Sequence, residues 1–329
     1  MSYELLVLGQ EEIESCFDWE AAIASQREAF QALGKGEADQ PPKLMLPAPA
    51  DESVALCYAA RVTPDSGAVS KLASFNPGNA TRGMPTISGL ITVLSRATGQ
   101  PIALVEGTTV TTRRTAAGSA VAVDLLASTS ASCLAVLGSG VQGMAHARAL
   151  SRVRPFTDIR VWSPTLPNRQ GAVAWLRDEL GAGVHEVETA EDAVRGADVV
   201  AACTNSREPV VRGDWLQPGC TVVSVGSFQA DRVEVDPEVI TRSATVVVDD
   251  IATGAEHAGP IVQSLAGGDL AEDDIVGLGA VACGHSPGRR SYEDIIFYSS
   301  VGLGVQDAAA ATAIVRRAQQ VGVGRPLTL

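Results

Sequence analysis

The sequence contains one glycine-rich segment whose spacing is suited to binding phosphates. An apolar run at 133–137 leads into a complete G-x-G-x-x-G, and a helical pattern follows at 141–150. In a strand, turn and helix of this kind, the first glycine makes a tight turn, the second lets a pyrophosphate approach the backbone, and the third lets helix and strand pack closely. The helix N-terminus then binds the phosphates through its amides and its dipole. The motif predicts a dinucleotide site made by Gly138, Ser139, Gly140, Val141, Gln142 and Gly143.

Two lysines lie among apolar residues in segments with strand-like patterns. Lys43 precedes the apolar run at 44–46, and Lys71 lies within the run at 69–73. Because side chains alternate between the two faces of a strand, either lysine can lie on a solvated face. From the pattern alone, that interpretation stays open beside a role in binding an anion.

Two adjacent arginines, Arg113 and Arg114, occur where we expect a helix to begin. The pattern predicts a hairpin tip at 106–107 and a helix that opens at Thr111. Positive side chains oppose the dipole at a helix N-terminus, so their placement there needs an anionic partner. A substrate carboxylate or a cofactor phosphate would supply it.

Strand-like runs recur after the glycine motif, with helical or polar stretches between them. With the run at 133–137 they make six strands, which is the pattern of a doubly wound parallel sheet of the Rossmann type. The other five runs are 159–162, 184–187, 198–203, 220–225 and 245–248. Ligands bind at the carboxyl ends of the strands in such sheets. We therefore expect Thr204, Val225 and Gly226 to contribute to the dinucleotide site, and ordinary turn chemistry stays open as the alternative for each residue. Thr115, which follows the two arginines, is a further candidate for this site.

The end of the second strand of this sheet indicates which nicotinamide cofactor is used. An acidic side chain there would accept hydrogen bonds from the adenosine ribose of NAD. The sequence instead has Ser163, Pro164 and Thr165, with Arg169 a few residues further on. Hydroxyl groups and a guanidinium suit a 2′-phosphate, so we expect NADP(H) to be preferred, with NAD(H) possible.

The segments on either side of this sheet have different patterns. A strand at 5–8 and a helix at 15–33 precede short runs broken by glycine and proline between 41 and 104. These runs predict five or six strands in an antiparallel or mixed sheet. The tail at 295–320 has the pattern of one or two helices, which we expect to pack on the first segment.

Composition limits the classes of partner. The 329 residues exceed what one hydrophobic core usually fills, so we expect two domains. The net charge of −13 and the lack of lysine or arginine runs argue against nucleic-acid and anionic-membrane partners. No stretch reaches the ~18 apolar residues of a membrane helix and no signal-peptide pattern begins the chain, so we expect a cytoplasmic protein. The cysteines and histidines show no metal-ligand spacing, and we expect no metal site.

Several segments together resemble the ornithine cyclodeaminase/mu-crystallin family over almost the whole chain. They are Lys71, NPGN at 76–79, GMPT at 83–86, TGQPIAL at 98–104, RTAA at 114–117, the glycine motif, and SVGLGVQD at 300–307. The resemblance implies a homodimer with an α/β fold. Residues 1–118, completed by 296–329, would form an α+β substrate-binding and dimerisation domain beside a Rossmann domain at 119–295.

The resemblance also implies roles for four candidate catalytic residues. Lys71 and Arg114 would face a substrate carboxylate, with Thr86 nearby. Our own hypothesis is that Lys71 also positions an imine or helps to supply its proton, because a lysine between cationic neighbours can have a lowered pKa. The position of Lys43, usually an arginine in the family, would serve the same carboxylate. Lysine there keeps the charge but loses the bidentate fork.

One departure from the family's pattern bears on the reaction. Cyclodeaminases of the family carry a catalytic aspartate two residues past the Val-Gly that closes the fifth strand, and Phe228 takes its place here. We therefore expect an NAD(P)H-dependent reductase of small cyclic 2-imino acids, which converts 1-pyrroline-2-carboxylate or 1-piperideine-2-carboxylate to proline or pipecolate. The alternatives are an ornithine cyclodeaminase, an alanine-type dehydrogenase, and a crystallin-like protein that binds NADPH without turnover.

Overall fold

The computed structural model of the chain describes residues 3–48, 50–181 and 183–329. The chain forms two compact units. One consists of Met1–Arg114 and Leu303–Leu329, and we call it the mixed-sheet unit. The other consists of Thr115–Gly302, and we call it the parallel-sheet unit. The boundaries between the units lie at 114/115 and 302/303, whereas the sequence predicts 118/119 and 295/296. Substrate binding and dimerisation by the first unit, and dinucleotide binding by the second, stay predictions.

The mixed-sheet unit contains seven strands in the order β15-β1-β6-β5-β4-β3-β2. Strand β1 pairs with β6 in parallel, and the other neighbours pair antiparallel. The strands are β1 (Glu4–Leu8), β2 (Leu44–Ala48), β3 (Ser53–Ala60), β4 (Val69–Phe75), β5 (Ile87–Leu94), β6 (Pro101–Glu106) and β15 (Arg325–Thr328). The helices are α1 (Gln10–Cys16), α2 (Trp19–Gly34), the start of α3 (Gly107–Leu126), and α11 (Gly304–Val321). A 3₁₀ turn at Pro77–Arg82 connects β4 to β5. Helix α11 packs on α2 and on the face formed by β3, β4 and β5.

Strand β4 determines the environment of Lys71. Val69, Lys71, Ala73 and Phe75 are buried, and the residues between them are exposed. Because three of these four side chains are apolar, their burial carries the lysine to the inner face, where it is 2% exposed. The interpretation of Lys71 as a solvated lysine is therefore wrong.

Helix α3 begins earlier than the sequence predicts. It starts at Gly107, and the carboxylate of Glu106 accepts hydrogen bonds from the amides of Thr108 and Thr109, which caps the helix. The predicted hairpin tip at 106–107 and the predicted start at Thr111 are therefore wrong. Arg114 lies about two turns inside α3, so the helix dipole no longer explains its need for an anion.

Two other predicted helices also differ from the structure. The helix predicted at 15–33 is two helices, because Asp18 ends the first segment and caps α2 by accepting from the amide of Ala21 at 2.8 Å. The tail predicted to be helical from residue 295 begins instead with β14 (Ile295–Ser299). Its helical part is α11, which does pack on the first segment as predicted.

The parallel-sheet unit confirms the predicted doubly wound sheet. Its eight strands have the order β13-β12-β14-β11-β10-β7-β8-β9, and all its described neighbours pair in parallel. The remaining strands are β7 (Cys133–Leu137), β8 (Asp158–Trp162), β9 (Val184–Glu186), β10 (Val199–Ala202), β11 (Thr221–Ser224), β12 (Ser243–Val248) and β13 (Ile275–Gly277). The helices are the rest of α3, α4 (Val141–Leu150), α5 (Leu166–Leu180), α6 (Ala190–Val194), α7 (Pro237–Arg242), α8 (Ile251–His257), α9 (Gly259–Gly267) and α10 (Leu278–Ala282). The 3₁₀ turns are Gly213–Trp215 and Glu272–Asp274.

The sequence does not predict strands β13 and β14, which both lie in the half of the sheet that contains β11 and β12. All five residues of β14 are buried, and the strand pairs with β11 and β12. The strand order reverses between β7 and β10, and the carboxyl edge at such a reversal is where these sheets bind ligands.

In the described ranges, no helix is long and apolar enough to cross a membrane.

Candidate active site

The mixed-sheet unit buries a cluster of opposite charges on the inner face of its sheet. Lys71 on β4 has its Nζ 2.6 Å from Oδ2 of Asp307 on α11. Arg114 on α3 has its Nε 3.2 Å from Oδ1 of the same carboxylate. Two cations therefore share one anion, which gives the three groups one net positive charge. Because an uncompensated buried charge is costly, the cluster is suited to binding an anionic ligand.

Neighbouring side chains fix the orientation of both cations. Nη1 of Arg114 donates to Oε1 of Gln306 at 3.3 Å. Nζ of Lys71 lies 4.5 Å from the centre of the Tyr58 ring and 3.5 Å from Oγ1 of Thr111. The first turn of α11 therefore holds Nε and Nη1 of Arg114. Within the described ranges, Nη2 of this guanidinium makes no hydrogen bond to protein, so this nitrogen suits a ligand carboxylate.

The surroundings of Lys71 make it a stronger acid than an ordinary lysine. Burial lowers its pKa from 10.5 to about 8, Asp307 opposes the shift, and the nearby charges of Arg114 and Lys43 lower the pKa further. Lys71 is mostly protonated at pH 7 and releases its proton more readily than an exposed lysine does. A group of this kind is suited to act as a general acid near neutral pH.

Lys43 lies in the same row of the sheet as Lys71. Leu44 pairs with Cys57, so an extension of this register by one residue puts Lys43 opposite Tyr58. Tyr58 in turn pairs with Lys71 on β4. The half-buried Lys43 is therefore two strands away from Lys71, roughly 10 Å across the sheet.

Thr86 lies further from the cluster along the strand direction. It immediately precedes β5, and its carbonyl oxygen accepts from the amide of Asn76 at 2.8 Å. The β5 residue that pairs with Lys71 is Ile91. The intervening strand spans about 16 Å, so Thr86 is the candidate catalytic residue that the fold places away from the Lys71 row.

In the parallel-sheet unit, the glycine motif forms a tight turn between β7 and α4. Gly138 follows β7 with a φ of +113°, and Gly140 is the N-cap of α4, which begins at Val141. A Cβ at Gly143 would lie 1.8 Å from the carbonyl oxygen of Gly138, so only glycine allows this approach. A Cβ at Gly140 would meet nothing within 4 Å, so the space at the helix N-terminus is open. The turn therefore fits a pyrophosphate bound by the first amides of α4, which include that of Gln142.

The glycine turn is connected to the end of β8. Oγ of Ser139 donates to Oγ of Ser163 at 2.9 Å. Arg169 on α5 donates from Nη1 to the carbonyl oxygens of Ser163 at 3.2 Å and Glu188 at 3.4 Å. Its Nε also lies 3.5 Å from the carboxylate of Glu186. Protein groups therefore hold the guanidinium of Arg169, while the hydroxyl of Ser163 stands beside the glycine turn.

The other candidate residues for the dinucleotide follow β10 and β11, apart from Thr115, which lies on α3 beside Arg114. Thr204, Val225 and Gly226 all lie at the carboxyl edge, as their positions after strands predict. Phe228 follows them, packs against the core of the unit, and has the guanidinium of Arg232 5.7 Å from its ring centre. An aromatic ring therefore lies at the position where the resemblance leads us to expect an aspartate in a cyclodeaminase.

Three buried polar residues to which the sequence pattern gives no role make central contacts in the structure. Gln306 and Asp307 hold Arg114, and Asp307 also pairs with Lys71. Glu234 in the parallel-sheet unit accepts hydrogen bonds from the ends of two strands. The sequence feature that could have indicated a buried role for Gln306 and Asp307 is a pair of polar residues in an alanine-rich helix. No sequence feature indicates a buried role for Glu234, because a glutamate in a loop-like segment is usually exposed.

Comparisons with known proteins identify a family model, relatives and solved structures that are similar to this chain over nearly its whole length. The model of the ornithine cyclodeaminase/mu-crystallin family matches residues 4–322. The alanine dehydrogenase of Archaeoglobus fulgidus is 31% identical over 98% of this chain and 97% of its own. The structure of Thermococcus litoralis Delta(1)-pyrroline-2-carboxylate reductase in complex with NADH and L-proline has a TM-score of 0.95, with 29% identity over 98% of this chain and 99% of that one. An archaeal alanine dehydrogenase dimer with bound NAD has a TM-score of 0.92, with 30% identity over 99% of both chains.

The family model covers nearly the whole chain, and the full-length similarity of the relatives leaves neither unit unmatched. As its motifs predicted, the chain belongs to the ornithine cyclodeaminase/mu-crystallin family.

Proposed function

We propose that the protein is a reductase of small cyclic 2-imino acids, which converts 1-pyrroline-2-carboxylate or 1-piperideine-2-carboxylate to proline or pipecolate. Like its relatives, it is an oxidoreductase that uses a nicotinamide dinucleotide and acts on C–N bonds. The observation that carries the proposal is the buried cluster of Lys71, Arg114 and Asp307. Its net positive charge suits a substrate carboxylate, and its lysine can supply the proton that reduction of an imine requires.

Arg114 is the residue that we assign to the substrate carboxylate. Asp307 and Gln306 hold its Nε and Nη1, so the guanidinium is oriented before the substrate binds. A pre-organised guanidinium loses little freedom on binding, and a charge-assisted hydrogen bond in a buried site is strong. Lys43, in the Lys71 row, adds a second positive charge on the same side of the sheet.

Lys71 is the residue that we assign to proton transfer. The dinucleotide supplies a hydride when it is bound. Hydride addition to the imine carbon leaves the electron pair of the C=N bond on nitrogen, and this nitrogen takes a proton from Nζ of Lys71. The resulting neutral lysine regains its proton from solvent. Asp307, 2.6 Å from Nζ, stabilises the charged lysine at the start and end of each turnover.

The region after β11 favours reduction over cyclodeamination. Phe228 provides no carboxylate to handle the protons of a substrate amine. Glu234 lies in the same region, but it is fully buried and both its oxygens already accept hydrogen bonds. The oxidative half of a cyclodeaminase reaction therefore lacks its acid–base group here.

The test is a screen of NADPH and NADH oxidation with purified protein. We expect oxidation with 1-pyrroline-2-carboxylate or 1-piperideine-2-carboxylate, and no ammonia release from ornithine at a comparable rate. Ammonia from ornithine at the rate of imine reduction would overturn the assignment. No oxidation with any substrate would instead favour a protein that binds NADPH without turnover.

A second candidate function is an alanine-type dehydrogenase. It is favoured by the 31% identity with the Archaeoglobus fulgidus alanine dehydrogenase over 98% of this chain. The same buried cluster would serve an open-chain imine formed from a 2-oxo acid and ammonia. Pyruvate with ammonia therefore belongs in the screen, and a higher kcat/KM than for either cyclic imine would favour this alternative.

We further propose that NADPH is preferred to NADH. The support is the hydroxyl of Ser163 beside the glycine turn and the absence of a carboxylate at 163–165, the end of β8. We expect Ser163→Asp to reverse the preference, because a carboxylate repels a 2′-phosphate and accepts from a ribose hydroxyl. Ser163→Ala is the control: it should weaken NADPH binding without improving NADH binding. Equal Michaelis constants for both cofactors in the unaltered protein would contradict the proposal.

The protein is also proposed to form a homodimer through the mixed sheet. Leu44, Leu72 and Leu90 are 66%, 61% and 49% exposed, and Cys57 connects them into one row across four strands. A contiguous apolar row of this kind suits a self-complementary interface with a second copy. The similar archaeal alanine dehydrogenase is described as a dimer. A monomeric mass by light scattering would contradict the proposal.

A further inference from the structure

The carboxylate of Glu234 connects the ends of two neighbouring strands of the parallel sheet. Its Oε1 accepts from the amide of Thr204 at 2.6 Å and from the hydroxyl of Thr204 at 2.8 Å. Its Oε2 accepts from the hydroxyl of Ser224 at 2.8 Å and from the amides of Val225 at 3.1 Å and Gly226 at 2.7 Å. Each oxygen therefore serves one strand end, and the side chain itself is fully buried.

The two strand ends lie at the part of the sheet edge where the glycine motif begins. Strands β10 and β11 are parallel neighbours, and β7 flanks β10 on its other side. A Cβ at Gly138 would lie 2.5 Å from the carbonyl oxygen of Cys203, so the segment after β10 abuts the glycine turn. A Cβ at Gly226 would lie 1.8 Å from the carbonyl oxygen of Thr204. The three segments after β7, β10 and β11 are therefore tightly packed, and Glu234 joins two of them.

We propose that Glu234 is a positioning residue that sets the spacing of the segments after β10 and β11 for dinucleotide binding. The proposal rests on the assignment of Thr204, Val225 and Gly226 to the dinucleotide site. Glu234 acts through these residues and does not itself contact the reacting atoms.

The chemistry of the donors explains why a carboxylate is required at this position. Three of its five partners are backbone amides, which can only donate. Burial raises the pKa of Glu234 to about 7, and the hydrogen bonds from Thr204, Ser224 and Gly226 oppose that rise. In a glutamine, one side would present an NH₂ group to a backbone amide, so two donors would face each other and one strand end would lose its anchor.

Asp198 offers a matched control at the opposite edge of the same sheet. Its Oδ2 accepts from the amides of Ser132 at 2.8 Å and Cys133 at 3.0 Å, and it directly precedes β10. Asp198→Asn therefore makes the same chemical change to a carboxylate that also anchors backbone amides. Because Asp198 lies at the amino edge, its loss affects stability but not the ligand edge.

The experiment measures the Kd for NADPH and NADH by titration of tryptophan fluorescence without any imino acid. We expect Glu234→Gln to raise the Kd by about tenfold or more, because a buried donor is left unsatisfied at the site. Asp198→Asn should keep the Kd within about twofold, even if its Tm falls as far as the Tm of Glu234→Gln. Glu234→Asp, which keeps a carboxylate but shortens its reach, should give an intermediate Kd.

Further readouts separate positioning from a general loss of stability. Amide hydrogen exchange at Thr204, Val225 and Gly226 should be faster in Glu234→Gln than in Asp198→Asn. Where turnover is measured, KM for the dinucleotide should rise more than kcat falls. A Kd for Glu234→Gln equal to that of the unaltered protein, or an equal loss of affinity in Asp198→Asn, would overturn the proposal. If Glu234→Gln does not fold, an unchanged Kd in Glu234→Asp would overturn it. Because these Kd values are measured without substrate, they stand even if imine reduction is not observed.

Discussion

Replacement of Lys71 by methionine is expected to lower kcat for imine reduction by about 10²- to 10⁴-fold, the usual contribution of a positioned general acid. Methionine is of similar length and suits the buried position, but it has no proton to give. Asp307 keeps its ion pair with Arg114, so the cluster does not acquire an uncompensated negative charge. The Kd for NADPH should stay within about twofold, because Lys71 belongs to the mixed-sheet unit and not to the glycine motif.

Lys43→Met is the matched control, because it removes a lysine from the same row of the sheet. Lys43 is half-buried and lies two strands away, so we expect a higher KM for the imino acid with little change in kcat. Retention of more than a tenth of kcat in Lys71→Met would exclude the general-acid role. Equal loss of kcat in both variants would show that the positive field, and not a proton from Lys71, is what the reaction needs.

The pH dependence of imine reduction should follow the ionisation of Lys71. Because burial lowers the pKa of Lys71 to about 8, reduction should be fastest below that pH and fall as pH rises through it. Oxidation of the amino acid, which needs the neutral lysine, should rise over the same range. The free energy of unfolding should change with pH in the opposite direction to the rate of reduction. Between about pH 8 and 10.5, Lys71 is protonated in the unfolded chain but mostly neutral in the folded protein. The contribution of this residue to stability therefore increases as pH rises through that range. In Lys71→Met the profile should lose its inflection near pH 8.

The glycine turn between β7 and α4 is the part of the candidate dinucleotide site that the sequence predicts best. The close backbone contacts at Gly138 and Gly143 are possible only without a Cβ, and glycines can be recognised directly in the sequence. Strand β7 before the motif is a short buried run and helix α4 follows it, so the apolar pattern and the turn residues predict the same structure. The sequence does not predict strand β14, because its short run of buried residues shows no alternation and its neighbours in the sheet are distant in sequence.

The charged cluster was only partly predictable. The local pattern identifies Lys71 and Arg114 as isolated cations. It places the start of α3 too late, because Glu106 followed by a glycine has the pattern of a hairpin tip, whereas its carboxylate caps the helix. The anion that explains both cations is Asp307, which is nearly two hundred residues from Arg114. Such pairing is a property of tertiary structure, and no local pattern encodes it.

Arg114→Ala is expected to cost about 2–5 kcal/mol of binding to the transition state, which is roughly 30- to 5,000-fold in kcat/KM. The physical reason is that the substrate carboxylate would enter a buried site without its charge-assisted partner. The remaining ion pair between Lys71 and Asp307 preserves the fold of the cluster, so the variant should stay folded. Its Kd for NADPH should be nearly unchanged.

The neighbouring arginine provides the control. Arg113 donates to the carbonyl oxygen of Phe17 and has its guanidinium 5.9 Å from the centre of the Trp19 ring, so it connects α3 to the segment around the start of α2. Arg113→Ala should therefore lower Tm while it keeps kcat/KM within about threefold. If Arg114→Ala instead weakens NADPH binding and leaves the relative preference among imino acids unchanged, Arg114 serves the cofactor phosphates. The substrate carboxylate would then have to be bound by Lys43 and Lys71 alone, and Lys43→Met would become the variant with the larger loss in kcat/KM.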